Sequence, residues 1–329
     1  MRTKKLKLER LQREFDDHEE DYRAVSDQLA CEQDPVSRNQ LNRRLKQIEN
    51  KMEQLEEEQI ALQQAVTRPT IETIAAGLWS LNYDPQNDVF KKNTPASRRA
   101  AAFVVQAKDT RIQKWLVARL FNQIPNRVNA QVFTFLIPNH PLWKNRNFAE
   151  IWVDLGKKLN CAAEQRAVVD ALAQIYLTKP VIIAMYGWMT TERSQDLQQQ
   201  VLRELWEPLV RTVDALATKP RRSRLILFLA EASETLMERT ADASASIAPI
   251  RLDPLNTISQ ADVENWFDSD PADKLLKQQE IAESRVTEFL QEEIPTFQGD
   301  PIQTLDQICY IFGLEHGIAD IEAEWRLTG

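Results

Sequence analysis

The residues that follow the apolar run AAFVVQA are the first place where this sequence could bind phosphate. A phosphate-binding loop joins a strand to a helix through the motif G-x-x-x-x-G-K-[ST]. Its glycines let backbone N–H groups surround the phosphates, its Lys neutralises their charge and its hydroxyl ligates magnesium. With the first motif position on Ala107, the second Gly falls on Ile112, the Lys on Gln113 and the hydroxyl residue on Lys114. All four positions therefore lack the residue type that the chemistry needs.

The apolar run PVIIAMYGW is the second place where nucleotide chemistry would need a particular residue. An acidic side chain at the end of this strand would complete the magnesium site, but the positions hold Tyr186, Gly187 and Trp188. We therefore predict no nucleotide, no cofactor, no metal and no catalytic residue, and hence no enzyme. The alternative that this is a generic doubly wound sheet, which never carried a phosphate loop, stays open.

Four short apolar runs predict the strands of a parallel sheet. Each run is apolar almost throughout, without alternation, as expected for strands that are covered on both faces. Amphipathic segments of helical length separate the runs, which predicts strand–helix–strand crossovers and a doubly wound sheet. The runs are Ala101–Ala107, Ala130–Ile137, Pro180–Gly187 and Arg224–Ala232, with a short fifth strand around Ile247–Leu252.

Heptad spacing in the first 67 residues predicts two helices that pair as a coiled coil. Apolar residues recur every three or four positions along each segment, and charged residues fill the other positions. The first seam is Leu8, Leu11, Phe15, His18, Tyr22, Val25 and Leu29; the second is Leu41, Leu45, Ile48, Met52, Leu55, Gln59, Leu62 and Val66. The intervening CEQDPVS, where Asp34 or Ser37 could cap the second helix, predicts an antiparallel hairpin.

The rest of the pattern sets the predicted domain limits. The hairpin covers residues 1–67 and is expected to end where Arg68, Pro69 and Thr70 break the heptads. A connecting segment covers 68–98, the phosphate-loop-like α/β domain covers 99–257, and a helical region, with Ser259 as a helix cap, covers 258–329. The predicted fold class is therefore α/β, with a helical hairpin in front and helices behind.

Composition narrows the classes of partner and compartment. The 41 Lys and Arg against 49 Asp and Glu give a net charge of −8, which argues against a nucleic-acid surface. No apolar run reaches the length of about 18 residues that a membrane span needs. The three cysteines form no disulfide pattern, and we expect a cytoplasmic protein. We expect no membrane partner, no nucleic acid and no small-molecule substrate.

From LWSLNYDPQNDVF and AAFVVQAKDTRIQKWLVARL through VIIAMYGW and LILFLAEA to the closing EAEWRL, the sequence resembles a known family. It is similar to the inactive STAND-type (iSTAND) phosphate-loop domains of bacterial, especially cyanobacterial, conflict and signalling systems. Gln113, Trp115 and Leu116, and also Leu252 and Leu255, carry the resemblance, which covers residues 70 to 329. It implies a signalling scaffold derived from nucleotide hydrolases, which works with effector or sensor proteins.

Three functions are compatible with these features. The first is a non-catalytic scaffold that docks protein partners through the coiled coil, with Leu45 and Leu55 as candidate partner-binding residues. The second is an active but atypical ATP-dependent signalling switch. The third is a purely structural oligomer that the coiled coil holds together.

Overall fold

The computed structural model describes residues 2–81, 84–95, 97–139, 147–188, 192–216, 223–232, 247–279 and 281–327. The chain divides into two compact units, Met1–Ile74 and Ala75–Gly329. None of the helices in these described ranges is both long and apolar enough to cross a membrane.

The first unit is built on two long helices, α1 (Arg2–Cys31) and all but the last turn of α2 (Pro35–Leu78). Pro35 opens α2, and the Asp34 carboxylate accepts hydrogen bonds from the Ser37 N–H at 2.9 Å and from its hydroxyl at 2.8 Å. Lys7 of α1 pairs with Glu58 of α2 at 2.9 Å, as only antiparallel helices allow. The predicted antiparallel hairpin is therefore confirmed, whereas its coiled-coil packing stays a prediction.

The end of α2 differs from the prediction. We expected the helix to stop near Thr67 because a proline in a helix interior costs about 3 kcal/mol. Instead α2 continues past Pro69 to Leu78. Apolar residues persist at helical spacing beyond the proline, and Ile74, Ala75 and Leu78 are buried. We attribute the longer helix to this burial, which offsets the free-energy cost of a proline in the helix interior. The domain limits given above stay predictions.

The second unit contains a five-stranded sheet in which all pairings are parallel. The strands are β1 (Ala100–Gln106), β2 (Gln131–Leu136), β3 (Val181–Trp188), β4 (Leu225–Glu231) and β5 (Ile250–Arg251). Their order across the sheet is β2-β3-β4-β1-β5. The predicted parallel sheet is confirmed, each predicted run overlaps a strand, and the short fifth strand is present.

Helices cover both faces of this sheet. The helices before β4 are α3 (Asp84–Asn93), α4 (Thr110–Phe121), α5 (Ala149–Leu159), α6 (Gln165–Tyr176), α7 (Glu192–Gln200) and α8 (Glu207–Leu216), with a π-helical turn, Val201–Trp206, between the last two. On one face, Phe90 of α3 packs on Phe103 of β1 with ring centroids 4.9 Å apart. On the other, Ala102, Ile183 and Leu227 share a buried core with α5, α6 and α8.

Helices also make up the region after β5. They are α9 (Gln260–Phe267), α10 (Asp270–Gln279), α11 (Glu283–Glu288), α12 (Pro301–Ile311) and α13 (Ile318–Ile321), with a last 3₁₀ turn, Glu322–Trp325. Ser259 and Asp262 form a capping box at the start of α9, which confirms Ser259 as a cap. Gly77, at the end of α2, has no room for a side chain because a Cβ would lie 2.3 Å from Leu275 Cδ1.

Candidate functional site

The junction between β1 and α4 is too short for a phosphate loop. Only residues 107–109 separate the last residue of the strand, Gln106, from the first of the helix, Thr110. The eight motif positions begin at Ala107, and the last five of them lie inside α4. The second half of the motif therefore begins a helix and does not form a loop that could surround a phosphate.

The N-terminus of α4 is occupied by a carboxylate of the chain itself. Asp109 caps the helix, and its Oδ1 accepts a hydrogen bond from the Arg111 N–H at 2.7 Å. The Arg111 guanidinium donates to both carboxylate oxygens, at 3.1 and 2.9 Å. Burial raises the pKa of Asp109, but the hydrogen bonds and charge of Arg111 outweigh it, so the pKa lies below its usual range. Asp109 is thus a stable anion where a helix favours one.

Gln113 stands at the lysine position of the motif and is fully buried. Its Nε2 donates to the Ala107 carbonyl at 2.8 Å, and its Oε1 accepts from the Gly187 N–H at 3.0 Å. One neutral amide therefore joins the end of β1 to the end of β3. At the interior position from which a lysine would reach a phosphate, the Gln113 side chain instead hydrogen-bonds to two backbone groups.

The other motif positions have separate surroundings. Ala107 and Ile112 are buried, at 3% and 2% exposure. Lys114 is partly exposed and forms an ion pair with Glu322 of the last 3₁₀ turn. The four predicted positions therefore lie at one junction. Each of them is either buried or bonded to another part of the chain, so none is free to bind a phosphate.

The end of β3 carries no acid, in keeping with its sequence. Tyr186, Gly187 and Trp188 are all buried. Gly187 has φ of +78°, and a Cβ there would lie 2.9 Å from Pro138 Cδ. The positive φ and the close approach of Pro138 require glycine at position 187. The Gly187 N–H is directed at Gln113.

A buried carboxyl group that the sequence analysis missed lies on the neighbouring strand. Glu231 ends β4 and is fully buried. Gln106 Nε2 donates to its Oε1 at 2.8 Å, and Gln198 Nε2 donates to its Oε2 at 3.2 Å. Burial raises the pKa of Glu231, although both amides and the charge of Arg251 oppose the shift. The only signal in the sequence was an acid at the end of the apolar run LILFLAE.

This polar cluster is not built to hold a metal ion. Each carboxylate oxygen of Glu231 already accepts a hydrogen bond from an amide. Within the part of the chain that the structure describes, no three His, Cys, Asp or Glu side chains come close enough to ligate one ion. The cluster therefore links β1, β4 and α7 through side-chain hydrogen bonds.

The two candidate partner-binding leucines differ in exposure. Leu55 is buried, at 3% exposure, as are Leu11, Val25 and Ile48, so it belongs to the interior of the hairpin. Leu45 is only half-buried. The other half-buried seam residues with large apolar or aromatic side chains are Leu8, Phe15, Tyr22, Leu29, Leu41, Met52 and Leu62. We call Leu45 and these seven residues the half-buried row.

Comparison with known proteins gives a family match for each of two segments of the chain. Residues 78–230 match the family model described as inactive STAND, and residues 1–59 match effector-associated domain 9. No curated protein matches the chain. The two family matches indicate a non-catalytic, STAND-related signalling component. The resemblance seen in the sequence is therefore confirmed: residues 78–230 are similar to inactive STAND domains, and residues 1–59 are similar to effector-associated domain 9.

Proposed function

We propose that this protein is a non-catalytic adaptor, which binds protein partners through its hairpin while its α/β domain binds no nucleotide. The observation that carries the proposal is the β1–α4 junction. There, Asp109 and Gln113 occupy the positions that a bound nucleotide would need. The resemblance supports a place in a cytoplasmic signalling or defence system of bacteria, such as those of cyanobacteria.

Binding a nucleotide at this junction would require several stable contacts to break. The Asp109 carboxylate would have to leave the helix N-terminus, since it would repel a phosphate. The amide of Gln113 would have to release the Ala107 carbonyl and the Gly187 N–H. Each buried backbone group left without a partner costs about 1–3 kcal/mol. A triphosphate would find no lysine at position 113 and no loop around it in return.

The hairpin offers the contacts that an adaptor needs. The half-buried row leaves apolar surface that a further helix could cover, as in a four-helix bundle. Next to it on α2, Arg38, Arg43, Arg44 and Lys46 are exposed and form no ion pair with any described residue. A helix with acidic flanks is therefore the type of partner that this surface fits. The match to an effector-associated domain over residues 1–59 supports the same role.

The test compares two full-length variants that add one positive charge to the same helix. Leu45→Lys disturbs the half-buried row, and the lysine stem can still cover the hairpin while its charge reaches water. Gln54→Lys adds a charge at an exposed position and is the matched control. Each tagged protein is purified from the cells in which it naturally occurs, and the proteins that co-purify with it are identified. Binding is then measured with the purified partner.

We expect the wild type and Gln54→Lys to bind a defined partner and Leu45→Lys to lose it, with unchanged helix content by circular dichroism. Equal binding by all three proteins would place recognition outside the half-buried row and contradict the proposal. Sedimentation of the same three proteins identifies the case in which the partner is a second copy. In that case the third function, a structural oligomer, replaces the adaptor.

An ATP-dependent switch is the second candidate because Glu231 places a carboxyl group at the carboxyl ends of the strands, where parallel sheets bind ligands. For this function, Glu231 would have to exchange its amide partners, Gln106 and Gln198, for a magnesium ion. Nucleotide titration separates this candidate from the adaptor, because only the switch binds magnesium and ATP together.

A further inference from the structure

A cavity of about 560 Å³ lies at the edge of the sheet, beside α4. One wall comes from the end of the edge strand β2, with Thr134 and Leu136, and from Tyr186 of the adjacent strand β3. The facing wall is the chain end, with Trp325, Arg326 and Leu327. The adaptor function assigns no role to this cavity, which we call the β2 pocket.

The position and size of the β2 pocket suit a small molecule. The carboxyl ends of parallel strands are where α/β sheets place their ligands, and Leu136 and Tyr186 lie at the ends of β2 and β3. Ligand pockets typically measure about 300–1,000 Å³. Because β2 is an edge strand, Thr134 and Leu136 remain exposed, whereas Phe133 and Phe135 of the same strand are buried. The pocket is thus open to solvent along an incompletely covered strand.

The charges in the β2 pocket select the type of ligand. Lys114 and Glu322 line it as an ion pair and neutralise each other. Arg326 lines both this pocket and a neighbouring cavity, is exposed, and forms no ion pair with any residue that the structure describes. The positive charge of Arg326 is therefore the one that a ligand could balance. A guanidinium pairs well with a planar carboxylate. A phosphate dianion would exceed this charge, and Glu322 would repel its two negative charges more strongly than the single charge of a carboxylate.

We propose that the β2 pocket binds a small carboxylate with an apolar, ring-sized body, whose carboxylate pairs with Arg326. The body would contact Leu136, Tyr186 and Trp325, which supply apolar surface. A ligand placed there would join β2 to the chain end, which Lys114 and Glu322 already connect to α4. Bound ligand would therefore reduce local opening of residues 318–327.

The test uses the full-length protein and three probes that share one ring system. They are 1-naphthylacetate, its neutral amide 1-naphthylacetamide, and 1-naphthyl phosphate. Binding is titrated by saturation-transfer NMR, and protection of residues 318–327 is followed by hydrogen exchange. The variants are Arg326→Gln, which removes the positive charge, and Thr134→Phe, which fills the pocket from an exposed strand position. Arg166→Gln, whose side chain is 95% exposed on α6, is the matched control.

We expect saturable binding of the carboxylate and about tenfold or weaker binding of both the amide and the phosphate. Arg326→Gln should weaken carboxylate binding by a similar factor, Thr134→Phe should remove it, and Arg166→Gln should leave it unchanged. Protection of residues 318–327 should rise only with the carboxylate. The proposal is overturned if the carboxylate shows no saturable binding at about 10 mM. Equal binding of carboxylate and amide, tighter binding of the phosphate, or binding unaffected by both pocket variants overturns it as well.

Discussion

Gln113 is the residue whose replacement best tests the structure of the β1–α4 junction. In Gln113→Leu, the Ala107 carbonyl and the Gly187 N–H stay buried but lose their partner. We expect the free energy of unfolding to fall by about 2–4 kcal/mol, because each orphaned group costs about 1–3 kcal/mol. Urea denaturation measures this loss. Gln199→Leu, at an exposed position of α7, is the control and should have little effect.

Glu231 should make stability depend on pH. Because burial raises its folded-state pKa above the unfolded value, the folded protein holds this proton more tightly. The contribution of Glu231 is therefore greatest below the unfolded pKa and declines as the pH rises through the folded pKa. Each unit of elevation corresponds to about 1.4 kcal/mol.

The variant Glu231→Gln cannot ionise and should not show this decline. We expect its free energy of unfolding, relative to wild type, to increase as the pH is raised from about 4.5 to neutral. Urea denaturation at a series of pH values measures the difference between the two proteins. A difference that is constant with pH, or that decreases, would mean that the pKa of Glu231 is not raised in the folded protein.

Residue types alone predicted only part of this junction. The missing Gly, Lys and hydroxyl were readable at Ala107, Ile112, Gln113 and Lys114, because the chemistry demands particular side chains. That Gln113 would join two strands was not readable, because its partner Gly187 lies 74 positions away in sequence. Asp109 was identifiable in principle, since an Asp just before a helix is a common cap.

At the scale of elements, the strands were the most predictable part of the fold. β1, β3 and β4 are buried along their whole length, which is why their sequences are apolar without alternation. Helix ends were less predictable, because they depend on packing that periodicity does not reveal. Within the helical region predicted from residue 258 onwards, for example, periodicity did not reveal the breaks that divide residues 270–293 among α10, α11 and a π-helical turn, Phe289–Glu293.

Charge placed inside the central strands should unfold the α/β domain. Ile182 of β3 and Leu227 of β4 are both fully buried. We expect Ile182→Asp and Leu227→Asp each to abolish cooperative unfolding, because an unpaired buried charge costs several kcal/mol against a total stability of about 5–15 kcal/mol. Val128→Asp, at a site 74% exposed, is the control. Thermal unfolding measured by near-UV circular dichroism decides, and unchanged melting of both variants would contradict the buried positions.

Within the hairpin, the heptads predicted the seam but not which residues it buries. Leu45 and Leu55 both belong to the seam but lie ten positions apart, at its two different heptad positions, and Leu55 is buried whereas Leu45 is not. The difference depends on how α1 and α2 face each other, which a single helix pattern does not contain. Replacing Leu55 would therefore disturb the hairpin itself, whereas Leu45 is the position that tests a partner surface.

At the scale of the whole molecule, two compact units divide the proposed tasks. In the proposed function, the hairpin unit binds a partner through the half-buried row and the neighbouring basic residues of α2. The larger unit has the sheet of a ligand-binding fold, but its β1–α4 junction is filled by its own side chains. The proposed function therefore depends on one claim, that the second unit folds and functions without nucleotide.

Titration of the full-length protein with Mg·ATP, followed by calorimetry and by thermal unfolding, tests that claim most directly. A ligand at 100 times its dissociation constant raises the free energy of unfolding by about 2.7 kcal/mol, which a thermal shift detects readily. Because Asp109 and Gln113 occupy the junction, we predict no saturable heat and no shift in melting temperature at about 5 mM ATP, ADP or GTP. Saturable binding of any of the three that raises the melting temperature would contradict the account and favour the ATP-dependent switch.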